Sequence, residues 1–383
     1  MKKLLVFLWA LLAASASVNA QGLTATLQQG DNMTPFYGPD AFVEAYNAAQ
    51  KGAIITLSAG VFNTVDSITK QVTIIGNGCA TTNRTRILSK NGTCLIINAN
   101  NVTIEGVSFM YDVYIRKVSD THLRKCYLYE LNATHTHKNT VIDQCRVKYN
   151  RTLAKGENIC FKNCILSYLY SGESTTYDFG KLNTISNPAY FSNCLIYHYF
   201  DKWCTESGSY WREYHVPYGV FKNCILGQRD YDYKKTSGSW VANSNYWQGF
   251  YLGILRKSSN EYYNNVFFLY PYQATAYVET GDEVYDELKT MEMNNTLVES
   301  QTVQGNTTST WAALFKDGED VNWWEVLKDD IPFTGDDGTV VGPYGGTGFS
   351  INPSIPRIVE SKIDSNTDAD GQLNVRIKVE VNP

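Results

Sequence analysis

One strand recurs along this chain, most plainly as Phe161-Lys162-Asn163-Cys164-Ile165-Leu166, Phe191-Ser192-Asn193-Cys194-Leu195-Ile196 and Phe221-Lys222-Asn223-Cys224-Ile225-Leu226. With the cysteine as position zero, upstream copies read Ile104…Val107…Phe109, Leu123…Cys126…Leu128 and Ile142…Cys145…Val147. Downstream copies read Asn245-Tyr246-Trp247, Tyr263…Asn265-Val266…Phe268 and Met293…Asn295-Thr296…Val298. The zero positions 107, 126, 145 and 164 lie nineteen residues apart, and the next steps are 30, 30, 22, 20 and 30. A strand that returns at elastic intervals specifies a solenoid, whose coils bury their apolar faces only against their neighbours.

Each repeat position carries its own physics. Positions −3, 0 and +2 are mostly apolar, as strand residues facing a narrow core must be. Position −1 is asparagine in six copies: Asn163, Asn193, Asn223, Asn245, Asn265 and Asn295. Asparagine tolerates left-handed backbone, so a tight turn is expected there. Stacked amides would then bond coil to coil in an internal ladder. Position −2 runs Arg124, Asp143, Lys162, and alternating sign between stacked strands predicts cross-strand ion pairing.

Ahead of the repeats, residues 38–51 read as an amphipathic helix. Pro39 suits its first turn, Phe42, Val43, Tyr46 and Ala49 form its apolar stripe, and Gly52 stops it. Extended runs follow at 53–57, 61–62 and 72–75. The order AFVEAYNAAQKGAIITLSAGVFN at 41–63, then ITKQVTIIGNG at 68–78, resembles the start of pectin-lyase-like proteins. The resemblance covers roughly residues 38–298. It implies an all-β, right-handed parallel β-helix with an N-terminal capping helix and a C-terminal cap and hairpin. The family holds polysaccharide lyases, glycoside hydrolases, esterases, phage tailspikes and exported proteins without a demonstrated reaction, so fold is implied more sharply than activity.

The first residues, Met1-Lys2-Lys3, an apolar run from Leu4 to Ala14 and Val18-Asn19-Ala20, make a secretory signal peptide with cleavage expected after Ala20. No later run reaches the ~20 apolar residues of a membrane span. The expected location is therefore periplasmic, cell-surface or extracellular. The organisation expected is signal peptide 1–20, cap and first coil 21–71, rungs 72–298, C-terminal cap 299–350 and a hairpin tail 351–383. The tail pattern Gly342-Pro343-Tyr344-Gly345-Gly346, with strands at 355–363 and 372–381, resembles the ends of exported β-helix proteins of Bacteroidetes-type bacteria.

A net charge of −5 argues against a general nucleic-acid binder. Of nine cysteines, Cys126, Cys145, Cys164, Cys194 and Cys224 share the zero position. Parallel neighbours at that spacing are poorly placed for a disulfide, so reduced, buried thiols are expected. Cys79, Cys94, Cys160 and Cys204 stand outside the ladder, leaving a bridge among them open.

Catalytic motifs are weak. Asn366-Thr367-Asp368 and Arg376-Ile377-Lys378 are similar to polygalacturonase strings, yet they stand ten residues apart in the tail with no Gly-His-Gly motif. A terminal hairpin cannot aim two carboxyl groups at one glycosidic bond. Asn366, Asp368, Asp370 and Gly371 begin a calcium-loop pattern, but Ile377 stands where its bidentate glutamate belongs, so turn chemistry explains them. No metal or other cofactor is expected. A basic stretch at 116–155, with His122, His135 and His137, could hold a polyuronate for a lyase; a solvated basic flank with ordinary loop histidines is the favoured explanation.

The surface signal is aromatic. Tyr-x-Tyr pairs follow several ladder strands: Tyr127/Tyr129, Tyr168/Tyr170, Tyr197/Tyr199, Tyr231/Tyr233 and Tyr270/Tyr272. Alternate strand residues share a face, so stacked pairs would line a stripe on which sugar rings can lie. The competing reading is packing beneath the long connections, since strands favour aromatics anyway. The expected function is an exported, non-catalytic protein that binds a polysaccharide or cell-surface glycan, with the site in the connections between 167 and 290. A polysaccharide lyase or glycoside hydrolase on an acidic polysaccharide is the first alternative. A structural or adhesive surface protein with a protein partner is the second.

Overall fold

A computed structural model describes residues 22–79, 83–88, 95–133, 135–151, 156–169, 189–198, 202–203, 212–213, 219–227, 261–269, 302–304, 307–310, 314–316, 326–353, 357–363 and 375–380. Two twelve-stranded sheets run the length of the stack. From Ala53–Leu57 through Val72–Ile75, Thr103–Glu105, His122–Arg124 and His137–Asp143 to Gly156–Lys162, strands of the first sheet pair in parallel. In the second sheet, Val107–Ile115, Tyr127–Asn132, Arg146–Arg151, Ile165–Leu169, Leu195–His198 and Ile225–Gly227 do the same. Each coil contributes one strand to each sheet and returns one level up, which is a right-handed parallel β-helix.

Inside, the repeat behaves as its positions require. The −3 column is a stack of rings: Phe161 on Phe191 (4.9 Å, 1°), Phe191 on Phe221 (4.5 Å, 8°) and Phe221 on Tyr262 (5.3 Å, 11°). In the zero column, each thiol is shared between its own −2 carbonyl and the −3 carbonyl of the coil before it. Cys145 Sγ reaches Leu123 O (3.3 Å), Cys164 reaches Ile142 O (3.3 Å), Cys194 reaches Phe161 O (3.6 Å) and Cys224 reaches Phe191 O (3.5 Å). The five ladder cysteines, with Cys79 and Cys160, are free thiols, and burial pushes those of Cys79, Cys145 and Cys194 well up. Cys94 and Cys204 lie outside the described residues.

From Gly106 onward position −1 is left-handed in every described turn: Gly106, Lys125, Gln144, Asn163, Asn193, Asn223 and Asn264 all have φ between 48° and 68°. The expected amide ladder, however, is not how these asparagines bond. Backbone links the coils, as in Asn163 N to Ser192 O and Asn193 N to Lys222 O (both 3.0 Å). The amides bond instead to a returning C-terminal segment, because the turn puts them on the flank where its carbonyls and carboxylates lie. An uninterrupted amide row does exist elsewhere: Asn158 donates to Asn139 (2.8 Å), which donates to Asp120 (2.9 Å).

Two of the expected rungs are corrected. Gly219–Lys222 pairs directly with Glu261–Tyr263, so 245–247 supplies no level between them. Asn243 would stand in its −3 slot, where the ring stack demands an aromatic. In the next coil the register moves by one: Tyr262, fully buried, takes the −3 slot, and Asn265 occupies the cysteine position rather than the turn. The expected rung at 293–298 lies outside the described residues, and the ladder continues through Thr302–Gln304 and Thr307–Thr310.

The N-terminal end is covered. Helix α1, Ala41–Ala48, buries Ala41, Phe42, Ala45 and Tyr46. It stops earlier than expected, at Ala49 in extended backbone, where Lys70 Nζ caps the Tyr46, Asn47 and Ala49 carbonyls. An antiparallel hairpin, Thr24–Gln29 with Asn32–Tyr37, covers the first sheet's open edge, and Pro35 on its outer strand discourages further pairing. Along the flank of the later coils, residues 314–316 and 326–349 bury Leu314, Phe315, Val326, Leu327, Ile331 and Val341 against the +1 column Ile165, Leu195, Ile225 and Val266. From there the chain runs back along the flank: Asp336 to Asn223, Asp337 to Asn193, Pro343 to Asn163 and Ser350 to Gln144. Arg357–Ile363 and Val375–Glu380 form the expected terminal hairpin.

Candidate functional site

Of the tyrosines expected to form a stripe, Tyr127, Tyr129, Tyr168 and Tyr197 lie in described strands. Tyr170, Tyr199, Tyr231, Tyr233, Tyr270 and Tyr272 lie outside the described residues. Pairing places Tyr168 beside Tyr149 on one side and His198 on the other, so Tyr168 and Tyr197 are not level. The reason is register. Ladder bonds lock the strands at the cysteine, and the two tyrosines stand at different offsets from it; one residue of offset moves a strand side chain to the other face.

The aromatic group brought together contains one expected tyrosine, Tyr129, with a partner outside the pattern. Tyr129 and Tyr149 meet edge to face at 5.5 Å, and Lys148 Nζ lies 5.0 and 5.1 Å from their ring centroids. An ammonium over ring faces is attracted by the quadrupole, by about 0.5–1 kcal/mol per ring when solvated. The local fold explains the meeting. Phe109 pairs with Leu128 and Asp112 with Glu130, so Met110 and Tyr111 both face the single Tyr129 in a bulge. A bulge bends the strand and re-aims its side chains. Met110 (36%) and Tyr111 (41%) are accordingly exposed, extending the apolar surface past Tyr129. Neighbouring Tyr127 is half-buried, and Arg146, buried, donates through Nη1 to Ile165 O (3.2 Å). Tyr149 escaped the Tyr-x-Tyr pattern. The nineteen-residue step from Tyr129 to Lys148 is the signal that finds the group.

The basic stretch at 116–155 does not form one patch. Arg124 sits between Glu105 (3.6 Å) and Asp143 (3.3 Å), Lys138 pairs with Glu157, and Arg146 is buried. His137 is buried against Thr140 Oγ1 (2.8 Å), while His122 is exposed. Lys125 is 1% exposed, and burial lowers its ammonium from the usual range. The alternating charges of position −2 are thus ion pairs, each acid engaged by Arg124. Among the described residues, no group of three or more His, Cys, Asp or Glu side chains is placed to hold a metal ion. Nor is any described helix long and apolar enough to cross a membrane. The Asn366–Gly371 turn lies outside the described residues.

No protein-family model matches the sequence, and no curated protein matches it. Among solved structures, a mutant of pectin methylesterase in complex with a hexasaccharide aligns over 58% of this chain and 84% of its own, at 13% identity and a TM-score of 0.33. The fold rests on the strand pairing described above, and nothing about activity is taken from that likeness.

Proposed function

We propose that this is an exported carbohydrate-binding protein that holds a polysaccharide or cell-surface glycan on the bulged corner of its second sheet. The observation that supports it is the Tyr129–Lys148–Tyr149 group, continued by exposed Tyr111 and Met110. Rings with polar tips stack on the apolar faces of sugars, while the ammonium and phenol hydroxyls bond to their oxygens. The polysaccharide lyase or hydrolase alternative would draw on Glu105 and Asp143. Both are already engaged by one arginine, and cleavage needs two carboxyl groups free to face one bond.

The test is a binding screen on a polysaccharide panel with the intact protein and with Tyr129→Ala/Tyr149→Ala. Loss of two stacking rings is expected to weaken binding by about tenfold or more, at ~1 kcal/mol per ring. Unchanged affinity in the double variant would sink the site. Product release from any polysaccharide by the intact protein would sink the non-catalytic reading while leaving the site standing.

A further inference from the structure

The cations of the two sheets are partnered differently. On the first, Arg124, Lys138 and Lys222 each meet a carboxylate, and Lys162 stands exposed to water. Around the second, Arg86, Arg116 and Lys148 are half-buried and have no carboxylate partner among the described residues. These three frame the tyrosine corner. Arg86 is level with Ser108 of the bulged strand, and Ser108 Oγ donates to Met110 Sδ (3.9 Å). Arg116 follows that strand's last residue, its guanidinium 5.2 Å from the Tyr114 ring centroid. Lys148 lies over Tyr129 and Tyr149. In both arginines Nε is buried and has no hydrogen-bond partner among the described residues.

A charged donor that gives up water without gaining an acceptor is costly, and ring faces hold an ammonium more weakly than an oxyanion does. The carboxylates nearby do not answer this need. Glu130 follows Tyr129 and pairs with Asp112, yet it accepts from Asn132 Nδ2 (3.2 Å) while Lys148 turns to the rings. Arg86 and Lys148 stand on strands three steps apart in the second sheet, about 14 Å at the spacing of paired strands. Met110, Tyr111 and Tyr129 lie on the two strands between them. Building on the reading of this corner as a glycan site, we infer that the glycan is anionic and lies along the axis of the stack. Its carboxylate or sulfate groups meet Arg86 at one end and Lys148 at the other, with Arg116 beside them. Its ring faces cover Tyr129 and Tyr149. The arginine fork takes an oxyanion through parallel bonds, and the lysine takes one as a point charge.

The experiment measures the affinity of the full chain for two matched pairs, hyaluronate with its methyl ester and dextran sulfate with dextran. Each pair is one backbone with and without charge. The anionic member of at least one pair should bind about tenfold or more tightly than its neutral partner, and the pair that shows it tells carboxylate from sulfate. That binding should weaken severalfold as sodium chloride is raised from about 0.05 to about 0.5 M. Lys148→Met keeps an unbranched stem over the rings and removes the charge. It should weaken the anionic member about tenfold and leave the neutral member within about twofold. Equal affinity within both pairs overturns the inference and leaves the glycan site standing. So does binding indifferent to salt in the intact protein, or a Lys148→Met loss shared equally by charged and neutral members. Unchanged binding by Tyr129→Ala/Tyr149→Ala removes the site itself, and the inference with it.

Discussion

Asn265 offers the sharpest test of the coil architecture, because it does with an amide what Cys145 and Cys224 do with a thiol. It is fully buried at the zero position; its Oδ1 accepts from Cys224 N (2.9 Å) and its Nδ2 donates to Phe221 O (3.0 Å). One coil down, Cys194 N donates to Cys224 Sγ (3.5 Å) and Cys224 Sγ donates to Phe191 O (3.5 Å). The same two backbone groups are satisfied in both coils. Asn265→Ala leaves them facing a dry core, each at about 1–3 kcal/mol, so ~2–6 kcal/mol together. Asn265→Cys restores both bonds in their weaker sulfur form and should recover more than half of that loss. Urea unfolding followed by far-ultraviolet circular dichroism gives the midpoints. Exchange at the Cys224 amide locates the damage, since a coil contacts only its neighbours. An alanine variant as stable as the parent, or a cysteine variant no better than alanine, would show that the column is packing alone.

Three further outcomes are expected. Phe191 lies between two rings, so Phe191→Ala should cost about 3–5 kcal/mol and Phe191→Leu well under half of that, measured by the same unfolding midpoints. Thiol alkylation of the native protein should spare Cys126, Cys145, Cys164, Cys194 and Cys224, all buried, and label them only on unfolding; rapid native labelling of any one would contradict the ladder. A hydrogen bond from the Lys222 ammonium and another from Asn223 hold the Asp336 carboxyl below its ordinary range. A lowered folded-state value stabilises above the unfolded value, near 4, and that contribution is lost as pH falls through the folded one. Exchange protection of 331–353 should therefore weaken in acid, and Asp336→Asn should flatten that dependence while weakening docking at neutral pH.

Much of the coil was legible because a repeat samples the same physical problem many times. The −3, 0 and +2 columns face one core, so burial selects apolar residues at each level, and left-handed backbone selects asparagine at the turn. Legibility failed where one level offered two solutions. In Tyr262-Tyr263-Asn264-Asn265, either tyrosine could precede either asparagine. The ring stack decides, drawing in Tyr262 and leaving Tyr263 outside to bond Glu261 (2.8 Å). It failed again wherever contacts have no period. The partners of Asn163, Asn193 and Asn223 lie 113 to 184 residues away, and no local pattern announces them. The row Asp120, Asn139, Asn158 was readable in principle, because its members keep the nineteen-residue step.

The +1 column divides this stack into two parts. From Ile165 onward it is Ile165, Leu195, Ile225 and Val266, each followed by an apolar +2 residue, so both faces of those strands are apolar. Such strands must be covered on both sides, and the C-terminal segment covers them. In the earlier coils the same column reads Ser108, Tyr127 and Arg146, and the alternation of a one-sided strand returns. The Tyr129–Lys148–Tyr149 corner belongs to those earlier coils, beyond the apolar cover. The candidate surface thus sits on the most regular, shortest-stepped part of the solenoid, where a bulge between Phe109 and Asp112 breaks the repeat and turns two side chains outward. Structure is carried by what every coil shares; a binding surface needs the level at which one coil departs from it.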